Sequence, residues 1–154
     1  DAAAGALLSQ SIACLRFNFR GVGHSAGHFD NGDGETDDLL AVVEAARLAV
    51  PGAPLGIGGY SFGAYVAWRA SHAVTPARIL LLAPPVGVMT FSGDLPEATA
   101  LDVVFGTDDE FAPEDSVRLW AGSLHGTVRL HRVAGADHFF SGCLDRLADA
   151  VRTH

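Results

Sequence analysis

Positive charge is scarce in this sequence: 10 lysines and arginines stand against 18 aspartates and glutamates in 154 residues, a formal charge of −8 at pH 7. Nucleic acid and anionic membrane surfaces both call for a positive field, so the balance argues against either as a partner. Cysteine occurs twice, at Cys14 in a predicted strand and Cys143 near the predicted last helix, which is too few for a disulfide framework. Both read as reduced, buried thiols of a cytoplasmic protein. Long hydrophobic runs are missing as well. The longest, Ile79 to Ala83 running on into Pro84-Pro85, falls far short of the roughly 20 residues that span a bilayer. No basic n-region precedes Ala2 to Leu8, so that run does not read as a secretory signal. Methionine occurs once, at Met89, so no initiator is present and the sequence is expected to begin partway through a longer protein.

What is there fits a single domain over residues 1–154, large enough to bury a core without staples. Its pI near 5.1 and mean hydropathy of +0.25 describe a slightly apolar, acidic globular chain. Asp1 to Gln10, rich in alanine and leucine with Gly5 its only breaker, reads as the end of a helix. Ile12 to Phe19 reads as a strand, Arg20 to Ser25 as the turn leaving it, and a loop rich in Gly, Asp and Asn runs to Gly32. Asp33 to Asp38 places acids in the first turn of a helix, where the dipole favours them. Leu39, Val42, Val43, Ala46 and Val50 continue at helical spacing until Pro51-Gly52 stops the run.

A short strand ending at Gly59 then turns into a helix that closes by Thr75-Pro76. Arg78 to Ala83 is the continuous apolar run of a buried parallel strand. Pro84 to Thr99 is loop, with three prolines and two glycines. Leu101 to Gly106 is a strand, Pro113 to Leu124 a helix with Trp120 in the core, Thr127 to Val133 a strand, and Leu144 to Val151 the closing helix. Strands alternating with helices imply parallel pairing and right-handed crossovers, hence a three-layer α/β/α sandwich with a mostly parallel sheet. In such sheets the loops at the carboxyl ends of the strands collect the chemistry.

Two motifs near the front carry little. Gly21-x-Gly23-x-x-Ala26 fits a loose dinucleotide fingerprint, but Gly27 to Gly32 forbids the helix that would hold a pyrophosphate. His24 and His28 share the spacing of zinc ligands, yet Gly27 lies between them and the glutamate of that motif is missing. A solvated loop is the simpler reading.

The informative stretch is Gly59-Tyr60-Ser61-Phe62-Gly63, a G-x-S-x-G string between a strand and a helix. A helix that starts directly after a strand folds back closely, so a Cβ at Gly59 or Gly63 is expected to collide and Ser61 to be pushed to positive φ. The N–H of Phe62 opens the helix and points where an oxyanion would form. The bland alternative is a glycine-rich turn whose serine caps the helix.

Two later strand ends supply partners: Gly106-Thr107-Asp108-Asp109-Glu110 and Gly135-Ala136-Asp137-His138-Phe139-Phe140. A serine hydroxyl needs a base to take its proton, and imidazole suits that task at neutral pH. The imidazole needs a carboxylate to fix its tautomer. His138 could instead cap a helix and Asp109 could merely form a turn, but beside this elbow the order Ser, Asp, His reads as a catalytic set.

With these residues the chain resembles the α/β-hydrolase fold, and more narrowly small bacterial α/β hydrolases of the dienelactone-hydrolase and serine-aminopeptidase-like branch. The matching stretches are Leu15 to Ser25, the elbow, Gly106-x-x-Asp109 with Pro113, and Gly135 to Phe140, spread over nearly all of residues 12–151. The resemblance implies a serine hydrolase, foremost a carboxylic ester hydrolase. Ser61 is then the nucleophile, His138 the base, Asp109 the acid with Asp108 as runner-up, and Phe62 N–H an oxyanion donor. Peptidase or thioesterase chemistry with the same residues, or a non-catalytic module of the same fold, are the alternatives.

No metal or organic cofactor is implied, and the partner is a small acyl compound. The short Pro84 to Thr99 connection leaves no room for a cap domain. Family members carry about three strands before the one at Ile12, one of them between it and the serine strand. This chain is therefore expected to show a gap in the sheet or a direct pairing of those two strands, and to associate through unpaired edges.

Overall fold

The computed structural model describes residues 2–152; Asp1, Thr153 and His154, which the domain reading 1–154 includes, lie outside the described residues. Helix α1 (Ala2–Ser9) is followed by an irregular stretch, α2 (Asp33–Ala49), β1 (Gly56–Tyr60), α3 (Phe62–Val74), β2 (Arg78–Leu82), β3 (Ala100–Gly106), α4 (Glu114–Gly122), β4 (Thr127–Val133) and α5 (Leu144–Arg152). The four strands form one parallel sheet in the order β1-β2-β3-β4. All four carboxyl ends therefore lie on the same edge.

Alternation along the strands divides the core in two. Ile79 and Leu81 of β2 and Leu101, Val103 and Phe105 of β3 pack with Leu39 and Val43 of α2, Trp68 of α3 and Val117 of α4. Leu82, Val104 and Val133 point the other way and pack with Ala6 of α1 and Leu147, Ala148 and Val151 of α5. Burial on both faces is why these strands read as continuous apolar runs. The result is the expected three-layer sandwich, and the connection from β2 to β3 contains no helix that could serve as a cap. Trp120 packs as expected, 5.2 Å from both Trp68 and Phe91, although its buried Nε1 has no hydrogen-bond partner among the described residues.

One predicted element is corrected. Ile12 to Phe19 takes no part in the ladder and is assigned no strand. Phe17 and Phe19 stack edge-to-face at 5.1 Å and pack against the α2/α3 side of the core, while Ile12 and Leu15 are exposed. The composition favours an extended chain, but a strand exists only by pairing, and among the described residues no segment bridges it to β1. Of the two expected arrangements, the gap is the one found.

The acidic start of α2 is structural, as its sequence suggests. The buried Glu35 carboxylate accepts the N–H groups of Asp30 at 2.9 Å and Gly32 at 2.8 Å. Burial pushes the Glu35 carboxyl up, but these donors outweigh it and hold the group below its ordinary value. Asp38 grips Arg20 through both the guanidinium, at 2.8 Å from Nη2, and the main-chain N–H, also at 2.8 Å. Together the two acids brace the loop over residues 20–32, which carries Phe29 toward α3.

Candidate active site

Ser61 stands at the corner between β1 and α3 with φ 52° and ψ −118°. Such a backbone is costly for a residue with a Cβ and persists only where the surroundings hold it. Here Ser61 N–H donates to the Leu82 carbonyl at 2.9 Å, and the Ser61 carbonyl accepts from Ala64 at 2.9 Å and Tyr65 at 3.2 Å. Both peptide units flanking the strained residue are thereby anchored.

The two elbow glycines are not equivalent. A Cβ on Gly59 would overlap the Gly63 carbonyl and the Ala64 nitrogen, whereas a Cβ on Gly63 would meet nothing within 4 Å. The expected collision at Gly63 is thus corrected: its main chain is the surface that Gly59 approaches, and its own α-hydrogens face open space.

His138 comes from the loop between β4 and α5, and Asp109 from the loop after β3. These two loops are stitched to each other: Asp108 N–H donates to the Ala136 carbonyl at 3.0 Å, and Gly135 N–H donates to Thr107 Oγ1 at 2.7 Å. Gly106 permits the approach, since a Cβ there would strike the Ala136 carbonyl. Asp137 shapes the turn around His138 by accepting the N–H groups of Ser141 at 2.9 Å and Phe139 at 3.1 Å. The Ser141 donors foremost hold the Asp137 carboxyl below its ordinary value.

The structure brings Ser61, His138 and Asp109 together. Ser61 Oγ lies 2.8 Å from His138 Nε2, and His138 Nδ1 lies 2.8 Å from Asp109 Oδ2 and 3.0 Å from Oδ1. Asp109 Oδ1 also accepts the N–H groups of Phe111 and Ala112, each at 2.9 Å, which fixes the carboxylate plane. An ionised carboxylate only accepts, so the histidine proton belongs on Nδ1 and the Nε2 lone pair faces the serine hydroxyl. Asp109 is 3% exposed and His138 6%, so little water competes for these contacts. Asp108 is exposed, and its carboxylate accepts from Thr107 Oγ1 at 2.9 Å. Phe62 is the first residue of α3, so its N–H has no carbonyl one helical turn earlier.

The sequence reading missed a ring of aromatic side chains. Tyr60, Phe111 and Phe139 lie with ring centroids 5.5, 4.8 and 5.4 Å from that of His138, and Phe29 lies 5.3 Å from Phe62. Phe111 and Phe139 sit two and one residues past the two site residues, which was the available signal. Phe29 gave none, since only the bracing by Glu35 and Asp38 brings it here. Among the described residues no three His, Cys, Asp or Glu side chains gather so as to hold a metal ion, and no helix is long and apolar enough to cross a membrane.

Comparison with known proteins points to the same fold. Residues 1–105 match the family described as Serine aminopeptidase, S33. A member of the α/β serine hydrolases without lid from Xanthomonas campestris superposes with a TM-score of 0.93 at 42% identity, over 99% of this chain and 69% of that one. An α/β serine hydrolase homologue from Coxiella burnetii gives 0.92 at 32% identity, over 99% and 73%. An uncharacterized protein of Rickettsia prowazekii is 31% identical over 158 residues, covering 96% of this chain and 66% of its own length. The chain thus spans about two thirds of that curated relative. From the serine corner, the parallel sheet and these likenesses together, the chain belongs to the serine aminopeptidase S33 family and carries the α/β serine hydrolase fold.

Proposed function

We propose that this protein hydrolyses carboxylic esters through an acyl-enzyme on Ser61. The observation that carries the reading is the Ser61 Oγ to His138 Nε2 contact at 2.8 Å, with Asp109 on the far ring nitrogen. Ser61 Oγ forms a bond to the ester carbonyl carbon while its proton passes to Nε2, and the imidazolium is stabilised by Asp109. The negative charge that develops on the carbonyl oxygen is met by Phe62 N–H at the head of α3. Collapse breaks the bond to the alcohol oxygen, which leaves with the proton from Nε2. Water then repeats the sequence, releasing the acid and restoring Ser61.

The family's description favours a second reading, in which the same residues cleave a peptide bond behind a free amino terminus. A small acyl compound as partner and a cytoplasmic setting belong to both readings, supported by the acidic charge and the unpaired Cys14 and Cys143.

A fluorophosphonate probe tests the reading in the full-length protein. Rapid labelling of Ser61 that is lost in His138→Ala is the expected result, followed by faster turnover of p-nitrophenyl acetate than of amino-acid p-nitroanilides. Labelling no faster than that of an ordinary surface serine contradicts the activated hydroxyl, and a preference for the anilides selects the peptidase.

A further inference from the structure

Among the described residues the exposed Phe, Tyr and Trp side chains are Phe29, Tyr60, Phe111 and Phe139; three of the four border His138, and Phe29 packs on Phe62, the residue after Ser61. Two are prominent: Phe29 is 64% exposed, against Phe62, and Phe139 is 68% exposed, against His138. Phenyl rings carry a large apolar area, and leaving them in water forgoes the stabilisation that burial would give. Three exposed rings gathered around His138 make the pattern of a ligand platform, in which apolar walls surround a few polar groups.

The charges nearby narrow the ligand. Asp30 follows Phe29, Asp108 and Glu110 flank the site acid, all three are exposed, and Asp137 stays ionised beside His138. Arg20, the cation on the loop that carries Phe29, is committed to Asp38 and Asp30. A carboxylate-bearing substrate would meet repulsion from these acids. A neutral ring would meet only other rings.

The reaction sets the side on which that ring lies. His138 Nε2 hands its proton to the departing alcohol oxygen, so the alcohol portion lies on the histidine side, where Phe111 and Phe139 stand. We infer that this rim is a subsite for a neutral aryl group on the leaving alcohol, which makes arylmethyl esters the substrate class of the site. Phe139 is the specificity-determining contact. The inference rests on the Ser61 ester-hydrolase reading.

The test compares benzyl acetate with ethyl acetate in the full-length protein, because the acyl group is the same and the two alcohols are of similar basicity. The expected kcat/KM favours benzyl by about tenfold or more, the scale of one well-filled apolar contact. Phe139→Ala should shrink that ratio by about tenfold, and Phe139→Leu, which keeps an apolar side chain without the flat ring, should fall between. A 4-carboxybenzyl ester should lose the advantage. A wild-type ratio near one, or a ratio unmoved by both variants, overturns the aryl subsite while fluorophosphonate labelling of Ser61 leaves the hydrolase reading standing. Absence of both labelling and turnover overturns the two together.

Discussion

The Tyr60 hydroxyl donates to the main-chain carbonyl of His138 at 3.2 Å, a tie between the elbow and the histidine loop across 78 positions of sequence. The Tyr60 ring also lies 5.5 Å from the imidazole, so the residue before Ser61 braces His138 both by its tip and by its face. Burial first, and then Asp109 and Asp137, push the phenol above its ordinary value, which keeps it a neutral donor at working pH. Tyr60→Phe removes one hydrogen bond worth about 1 kcal/mol and should lower kcat several-fold with little change in KM. A KM effect with unchanged kcat would instead make Tyr60 a substrate contact.

Asp108 and Asp109 are neighbours with different surroundings. Asp109→Asn leaves the Nδ1 proton without a carboxylate and should cost roughly three to four orders of magnitude in kcat. Asp108→Asn alters an exposed carboxylate that accepts from its neighbour Thr107 and should cost little. Kinetics of the two variants side by side decide the matter, and the reverse ranking would move the acid by one residue.

The elbow glycines give an asymmetric stability prediction. Gly59→Ala forces main-chain overlap that no rotamer change relieves and should cost on the order of 4 kcal/mol or prevent folding. Gly63→Ala meets open space inside a helix and should be neutral or stabilising by up to ~1 kcal/mol. Denaturant unfolding of both variants measures the difference; equal losses would show that both flanks are crowded.

Asp94 supplies a pH signature outside the site. Its carboxylate accepts His125 N–H at 2.8 Å, pairs with His125 Nδ1 at 2.6 Å and accepts Leu95 N–H at 2.8 Å. These contacts, the His125 main-chain donor foremost, pull it from 3.8 to about 2. A carboxyl depressed in the folded state stabilises above its unfolded value and loses that contribution as pH falls through the folded one. The Tm gap between wild type and Asp94→Asn should therefore be full above about pH 5 and shrink steadily toward pH 2. A gap independent of pH would assign the effect to packing.

Much of this architecture was legible because the two central strands, Arg78 to Leu82 and Ala100 to Gly106, are buried as near-continuous apolar runs, while Thr127 to Val133, more open at the sheet edge, is set off by Gly126 and Gly135. Ser61, Asp109 and His138 were legible because they follow the carboxyl ends of β1, β3 and β4, and a parallel sheet gathers those ends on one edge. Ile12 to Phe19 misled because its residues suit a strand while the ladder depends on a neighbour that no local pattern reports. Gly63 misled because spacing reveals that two chain segments approach, not which of them carries the clash. Phe29 was invisible because its place follows from Glu35 and Arg20 bracing a loop that sequence shows only as polar and flexible.

The central claim is that Ser61 and His138 act as one unit held by Asp109, and kcat for Ser61→Ala, His138→Ala and the double variant in the full-length protein tests it most directly. Residues that act as a unit are grossly non-additive, so each single variant should lose several orders of magnitude and the double variant should be barely worse than either. Losses that multiply in the double variant would contradict it, since they would mean that the serine and the histidine contribute separately.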